Sequence, residues 1–170
     1  MNLTTRLPAL LRAASRARSR AYAPYSNFPV GAAVLAGGRV FAACNVENSA
    51  YPLSVCAERN AVAMAVAAGE RRIDAVAVVG GAGSPAAPCG GCRQVLAEFC
   101  APGAQIVFAA ATGESVRTTL ARLLPRAFGP ANLVTAAAAQ STGSGRGPAG
   151  IRRSAGRARG TRSTARRRSP

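Results

Sequence analysis

The sequence predicts an α/β fold, a sandwich of helices around a single sheet. Three observations carry this reading. Short apolar runs of strand length alternate along the chain with longer segments of helical periodicity. A Gly37-Gly38 pair joins two of the apolar runs, as a hairpin turn does. The length of 170 residues corresponds to one domain, large enough to bury a core without disulfides.

The elements follow in order. Leu7, Leu10, Leu11, Ala14, Ala17 and Ala21 recur at helical spacing with Arg and Ser between them, and Pro8 suits the first turn of such a helix. The same opening is rich in Arg, Ser and Ala and has no acid before Glu47, a composition shared with organellar leaders. Its apolar stripe needs a core to cover, which favours a docked helix. Pro24-Tyr25-Ser26-Asn27 reads as a turn, and residues 29–36 and 39–45 as the hairpin strands. Residues 48–52 read as a loop, and residues 56–68 as a helix that Gly69 ends. A buried strand over 73–79 leads through a Gly/Pro/Ala loop, 80–88, into a second helix over 89–100. Residues 104–111 and 115–118 read as strands around a Thr112-Gly113 turn, and 119–124 as a short helix.

The formal net charge of +16 suggests nucleic acid until its distribution is considered. Every basic residue is Arg. Residues 1–140 hold 13 Arg and all 6 acids, whereas residues 141–170 hold 9 Arg and no acid. From Gln140 onward the chain is Ser, Thr, Gly, Arg, Ala and Pro with a single larger aliphatic, Ile151, too little apolar area to offset the entropy of ordering. Residues 1–139 are therefore expected to form the folded domain, and 140–170 a disordered tail. Such a tail could touch a phosphate backbone weakly and in a salt-dependent way, but it has no aromatic residue on which bases would stack. A solvated extension is the favoured reading. Five cysteines, an odd number with three in metal-type spacing, suit a reducing, cytoplasmic compartment better than a disulfide framework. No apolar run is long enough to cross a membrane.

The chemistry is concentrated in Cys56-Ala57-Glu58 and, 30 residues on, Pro88-Cys89-Gly90-Gly91-Cys92. Three thiolates can hold one zinc ion and leave its fourth tetrahedral position open, whereas structural zinc sites are closed by four ligands. The chain has no His, and Cys44 and Cys100 lack paired spacing with the other three. Cys56 and Cys89 each open a predicted helix, and the positive helix ends favour thiolates. Glu58 then falls close to the metal without ligating it. Taken alone it would be a helix-capping charge; beside three cysteines it reads as the proton shuttle for a zinc-activated water. Three thiolates overbalance a divalent ion, and Arg59 and Arg93 are expected to donate hydrogen bonds to the sulfurs and draw off that charge. Solvated helix arginines are the alternative for both.

These runs, extended to Cys56-Ala57-Glu58-Arg59 and Pro88-Cys89-Gly90-Gly91-Cys92-Arg93-Gln94, resemble the zinc-dependent deaminases of the cytidine/deoxycytidylate deaminase superfamily. Further segments extend the likeness: Ala21-Tyr22-Ala23-Pro24-Tyr25-Ser26, Phe28, Val30-Gly31-Ala32-Ala33, Cys44-Asn45-Val46-Glu47-Asn48, Ala50-Tyr51-Pro52, Leu123-Leu124-Pro125 and Phe128. Together they resemble the small homotetrameric cytidine deaminases over roughly residues 5–133. The resemblance implies a three-layer α/β/α sandwich with a mixed, roughly five-stranded sheet. It implies one zinc per subunit on Cys56, Cys89 and Cys92, with Glu58 moving the proton. Asn45 and Glu47 would hydrogen-bond the ribose, and Phe28 would pack on the base. The Ala57 N–H and the carbonyl near Ala87 would read the pyrimidine edge. Tyr51 and Phe128 would build sites across subunit boundaries. The implied reaction is hydrolytic deamination of cytidine and deoxycytidine, a step of pyrimidine salvage.

Some positions depart from the pattern. Ser49 stands where Ala is usual, Ala87 replaces Ser, Gly91 replaces Ala, and Ala131-Asn132 stands where acids are common. None of these removes a chemical group from the mechanism. Deaminases of blasticidin-type antibiotics share the cysteine runs, but Phe28 and Asn45-Val46-Glu47-Asn48 favour plain cytidine.

Overall fold

Helices lie on both sides of an interior strand whose six residues are all buried. That strand is Gly31–Ala36 (β1), preceded by the helix Leu3–Arg18 (α1) and followed by Arg39–Cys44 (β2). The chain continues through Ala57–Ala67 (α2), Ile73–Val79 (β3), Gly90–Phe99 (α3), Cys100–Ala109 (β4), Ser115–Thr119 (β5) and Leu120–Leu123 (α4). The computed structural model describes residues 3–133. The arginine-rich segment expected to be disordered lies outside them.

The five strands form one sheet in the order β2-β1-β3-β4-β5. Only β3 and β4 run parallel; the other neighbours are antiparallel. Strand alternation divides the core in two. Ala33, Leu35, Ala75, Ala77, Val79 and Val107 face α1, meeting Leu7, Leu10 and Ala14. Ala32, Val34, Val76, Val78, Ile106 and Phe108 face the opposite way, against Ala61 and Val62 of α2 and Leu96 of α3. The result is the expected mixed, three-layer sandwich. Leu10 and Leu96, both fully buried, each contribute about 1.5–3 kcal/mol by leaving water.

Local chemistry sets the connections. Gly37 and Gly38 have φ of +55° and +75°, the left-handed pair that lets a two-residue turn follow the twist of β1 and β2. Gly69, at φ +93°, ends the turn after α2.

Three boundaries differ from expectation. α1 begins at Leu3, so Pro8 lies inside the helix and not in its first turn. Lacking an N–H, Pro8 leaves the Thr4 carbonyl without its helical donor. The helix also stops at Arg18, where Arg20 and Ala21 donate back to Ala17 and Arg18 in tighter turns. β4 starts at Cys100, ahead of the expected 104, because the register against β3 jumps from Cys100 to Gln105 and takes Pro102 and Gly103 into a bulge. Tyr51–Leu53, read as loop, forms a single turn of 3₁₀ helix.

α1 approaches the sheet closely at Gly31. A Cβ there would fall inside van der Waals contact with the backbone of Ala14 and Arg18. Gly31→Ala is therefore expected to lower stability by about 2–3 kcal/mol, seen as an earlier urea midpoint, by forcing the helix off the sheet.

Candidate active site

Cys56 and Cys89 are the N-cap residues of α2 and α3, both extended, with φ/ψ of −67°/152° and −65°/165°. Each carbonyl accepts the first helical hydrogen bond, from Asn60 N–H and Arg93 N–H. Cys92 lies one turn into α3 and is buried, Cys56 is half-buried and Cys89 is exposed. The three Sγ atoms lie within 4.8 Å of one another, and Cys56 and Cys89 are 4.0 Å apart. Tetrahedral zinc with Zn–S bonds of about 2.3 Å sets its sulfurs about 3.8 Å apart, so the trio fits that ion. No other Cys, Asp or Glu among the described residues joins the cluster. That separates it from a closed, four-ligand structural site. Cys44 instead donates to the Arg20 carbonyl at 3.3 Å, and burial pushes the Cys100 thiol up to about 12.

The thiols act on one another. Cys92 donates to Cys56, which brings the Cys56 thiol down to about 6 against the opposing effect of burial. The same contact, with burial, pushes the Cys92 thiol up. Glu58, the second residue of α2, is 5% exposed and is the one buried charged residue among those described. Burial raises its carboxyl above the ordinary carboxylate range, offset by hydrogen bonds from its own N–H and the Cys92 thiol. A Glu serving only the helix dipole would remain in solvent, so its burial beside sulfur favours the chemical role.

Cys56, Glu58 and Cys89 open into a cleft of about 390 Å³. Phe28, Asn45, Glu47, Ala57 and Ala87 also line it. The cleft therefore gathers the metal group, the acid and five of the positions expected at the substrate. Asn45 and Glu47 also build its wall. Asn45 Oδ1 accepts from Val30 N–H at 2.8 Å, and its Nδ2 donates to the Phe28 carbonyl at 3.1 Å. Glu47 accepts from Tyr25 N–H at 2.9 Å, Ser26 N–H at 3.2 Å and the Ser26 hydroxyl. The Ser26 bond, the largest influence, holds the Glu47 carboxyl below its usual range. Ser26 in turn accepts from Phe28 N–H at 3.1 Å and lines the cleft, a part that the turn motif alone did not reveal.

Tyr51 and Phe128 do not line this cleft. Tyr51 is 69% exposed and lines a neighbouring depression with Tyr25, Ser26, Glu47 and Ser54, its ring 5.8 Å from that of Tyr25. Phe128 is 60% exposed, and its carbonyl accepts from Gln94 Nε2 at 2.8 Å.

Arg93 has carbonyl partners where contacts to sulfur were expected. Arg93 Nε donates to the Pro88 carbonyl at 2.7 Å and its Nη1 to the Leu123 carbonyl at 3.0 Å. One residue on from Cys92, its side chain leaves the helix about 100° around from the sulfur, which explains the different partners. Arg59 is exposed and acts on Cys56 through charge, the smallest of the influences on that thiol.

The family described as the cytidine and deoxycytidylate deaminase zinc-binding region matches residues 5–110, more than half of the chain. The chain belongs to this family. Among its deaminase relatives, the cytidine deaminase of Sporosarcina psychrophila is 47% identical over 129 residues, covering 75% of this chain and 95% of that protein. The cytidine deaminase of Mycobacterium tuberculosis is 46% identical over 118 residues, 68% of this chain and 84% of its own. The crystal structure of cytidine deaminase from Burkholderia pseudomallei superposes with a TM-score of 0.68 at 50% identity, covering 71% of this chain and 98% of that one. The cysteine cluster falls within the matched zinc-binding region.

Removing one sulfur leaves two donors for the ion. Cys89→Ala is expected to purify with zinc below about a tenth of the wild-type content by elemental analysis, while Cys44→Ala keeps full occupancy.

Proposed function

We propose that the protein catalyses the hydrolysis of cytidine and deoxycytidine to uridine and deoxyuridine, releasing ammonia, as a zinc-dependent enzyme of pyrimidine salvage. The observation that carries this reading is the buried Glu58 beside three clustered cysteines at the base of a nucleoside-sized cleft.

Zinc held by Cys56, Cys89 and Cys92 supplies the Lewis acidity that makes water a nucleophile near neutral pH. The protein's own groups do the rest. Glu58 takes one proton from the attacking water and delivers it to N3 of the base, then takes the second from the new C4 hydroxyl and passes it to the departing amine. Water adds at C4, the C4–N bond breaks, and the products are the uracil nucleoside and ammonia. Ala57 opens α2, where backbone N–H groups have no helical acceptor, and its N–H reads the pyrimidine edge together with the carbonyl near Ala87. Phe28 covers the base. Asn45 and Glu47 retain hydrogen-bonding capacity beyond the loop contacts they make, because an amide offers four sites and a carboxylate about four. They bind the ribose, and polar groups that a bound sugar covers discriminate against sugars lacking the matching hydroxyl.

The catalytic unit is assigned to residues 1–139, because every residue of the site lies between 26 and 128. A homotetramer in the cytoplasm is part of the proposal. Exposed Tyr51, Leu53 and Phe128, at 69%, 67% and 60%, support assembly, and five free cysteines support a reducing compartment. Tyr51 and Phe128 would then complete sites of neighbouring subunits.

Purified protein is expected to release ammonia from cytidine and to stop after dialysis against a zinc chelator; undiminished release after chelation would overturn the metal's role. Glu58→Gln is expected to keep its zinc and lose about 10²–10⁴-fold in kcat, followed by the fall in cytidine absorbance. Wild-type turnover in that variant would remove Glu58 from the mechanism.

A further inference from the structure

Of the three sulfurs, Cys89 has the least local support. Cys92 is locked within α3 and fully buried. Cys56 sits between α2 and an ordered segment, since neighbouring Val55 exchanges backbone hydrogen bonds with Val46 in both directions. Cys89 is exposed, follows the long loop after β3, and has two glycines behind it at the start of α3. Its Sγ is nonetheless 4.0 Å from that of Cys56. Something outside α3's own hydrogen bonds must fix the Pro88–Cys89 peptide, whose orientation decides where that sulfur points.

The half-buried guanidinium of Arg93 does this. Its Nε holds the Pro88 carbonyl at 2.7 Å, and its Nη1 is anchored 3.0 Å from the Leu123 carbonyl at the end of α4. The next side chain, Gln94, ties the Phe128 carbonyl at 2.8 Å, so the start of α3 is bound both to the end of α4 and to the chain beyond it. A planar fork is suited to bridging two carbonyls through separate nitrogens; an ammonium has neither the rigidity nor the geometry.

We propose that Arg93 is a positioning residue for the metal centre, a strut between the end of α4 and the Pro88–Cys89 peptide that holds the Cys89 sulfur in ligating position. The inference rests on the zinc reading of the cysteine cluster. It differs from donation to sulfur, because Arg93 acts through the backbone in front of the ligand. It also makes the residues after α4 part of the support for the metal loop, although none of them lines the cleft.

The test uses full-length, zinc-loaded protein and measures the rate at which zinc passes to a chromogenic chelator at 25 °C, with thermal unfolding followed separately. R93K and R93Q are expected to release zinc about 10–100-fold faster than wild type, the range seen when an outer support of a metal ligand is removed. In the same variants kcat for cytidine is expected to fall while KM changes little, since the cleft wall at Phe28 and Asn45 is untouched. R117K, an exposed change on β5, should match wild type throughout. Zinc release at the wild-type rate in R93K and R93Q would overturn the proposal, whatever their unfolding temperatures. Failure of both variants to fold would also overturn it, by making Arg93 a residue of general stability. Full rescue by lysine would show that charge alone suffices and remove the two-carbonyl strut. The release assay needs no substrate. A wild type that holds zinc but leaves cytidine unchanged would sink the proposed activity and leave the assignment of Arg93 intact.

Discussion

Three sulfurs from two distant parts of the chain must meet at one point, and the sandwich is arranged around that requirement. Two helices begin there, each with a cysteine at its cap, and a third cysteine follows one turn later. A helix start is the one place in regular structure where backbone donors are left over and the local potential favours negative charge. Placing two starts together favours thiolate charge where the sulfurs lie close. The packing of α2 and α3 on the same face of the sheet makes this meeting reproducible, because Ala61, Val62 and Leu96 are buried against the same strands.

The wall opposite the sulfurs is built differently. It is a loop, residues 22–30, shaped by polar side chains from just after β2. Asn45 and Glu47 each hold backbone groups of this loop, and Ser26 locks onto Glu47. Asn27 adopts a φ of +54°, which Asn tolerates better than most residues and which bends the loop toward Phe28. A rigid helical half therefore carries the reactive groups, and a hydrogen-bonded loop carries the recognition surface. The same side chains serve the shape of the loop and the chemistry of the cleft, so a change at Asn45 or Glu47 alters both together.

Much of this was legible in the sequence because it is local. Cys56 and Glu58, and Cys89 and Cys92, have spacings that a helix start turns directly into geometry. The Gly37-Gly38 turn and the run of residues 73–79 likewise identify their elements without outside help. What escaped depends on partners far away in the chain. Arg93 is 30 residues from the carbonyl of Leu123, and Ser26 is 21 residues from Glu47. Nothing in either neighbourhood advertises those pairings. Charge beside a cysteine suggested that Arg93 would serve sulfur, but the angle between successive helical side chains sends it elsewhere. The boundaries that moved include Leu3, where Pro8 read as a first-turn residue, and Cys100, where pairing with β3 carries the strand back past Pro102. The role of residues 140–170 lay beyond this kind of inference, since composition without a partner element specifies no contact.

The graded burial of the three sulfurs has a kinetic consequence. Cys92 lies at the back, while Cys56 and Cys89 face the cleft proposed to admit the nucleoside. An ion arriving or departing on that side shares its corridor with the substrate. Under the proposed function, a nucleoside seated there is a stopper that slows both the loss and the uptake of the ion behind it.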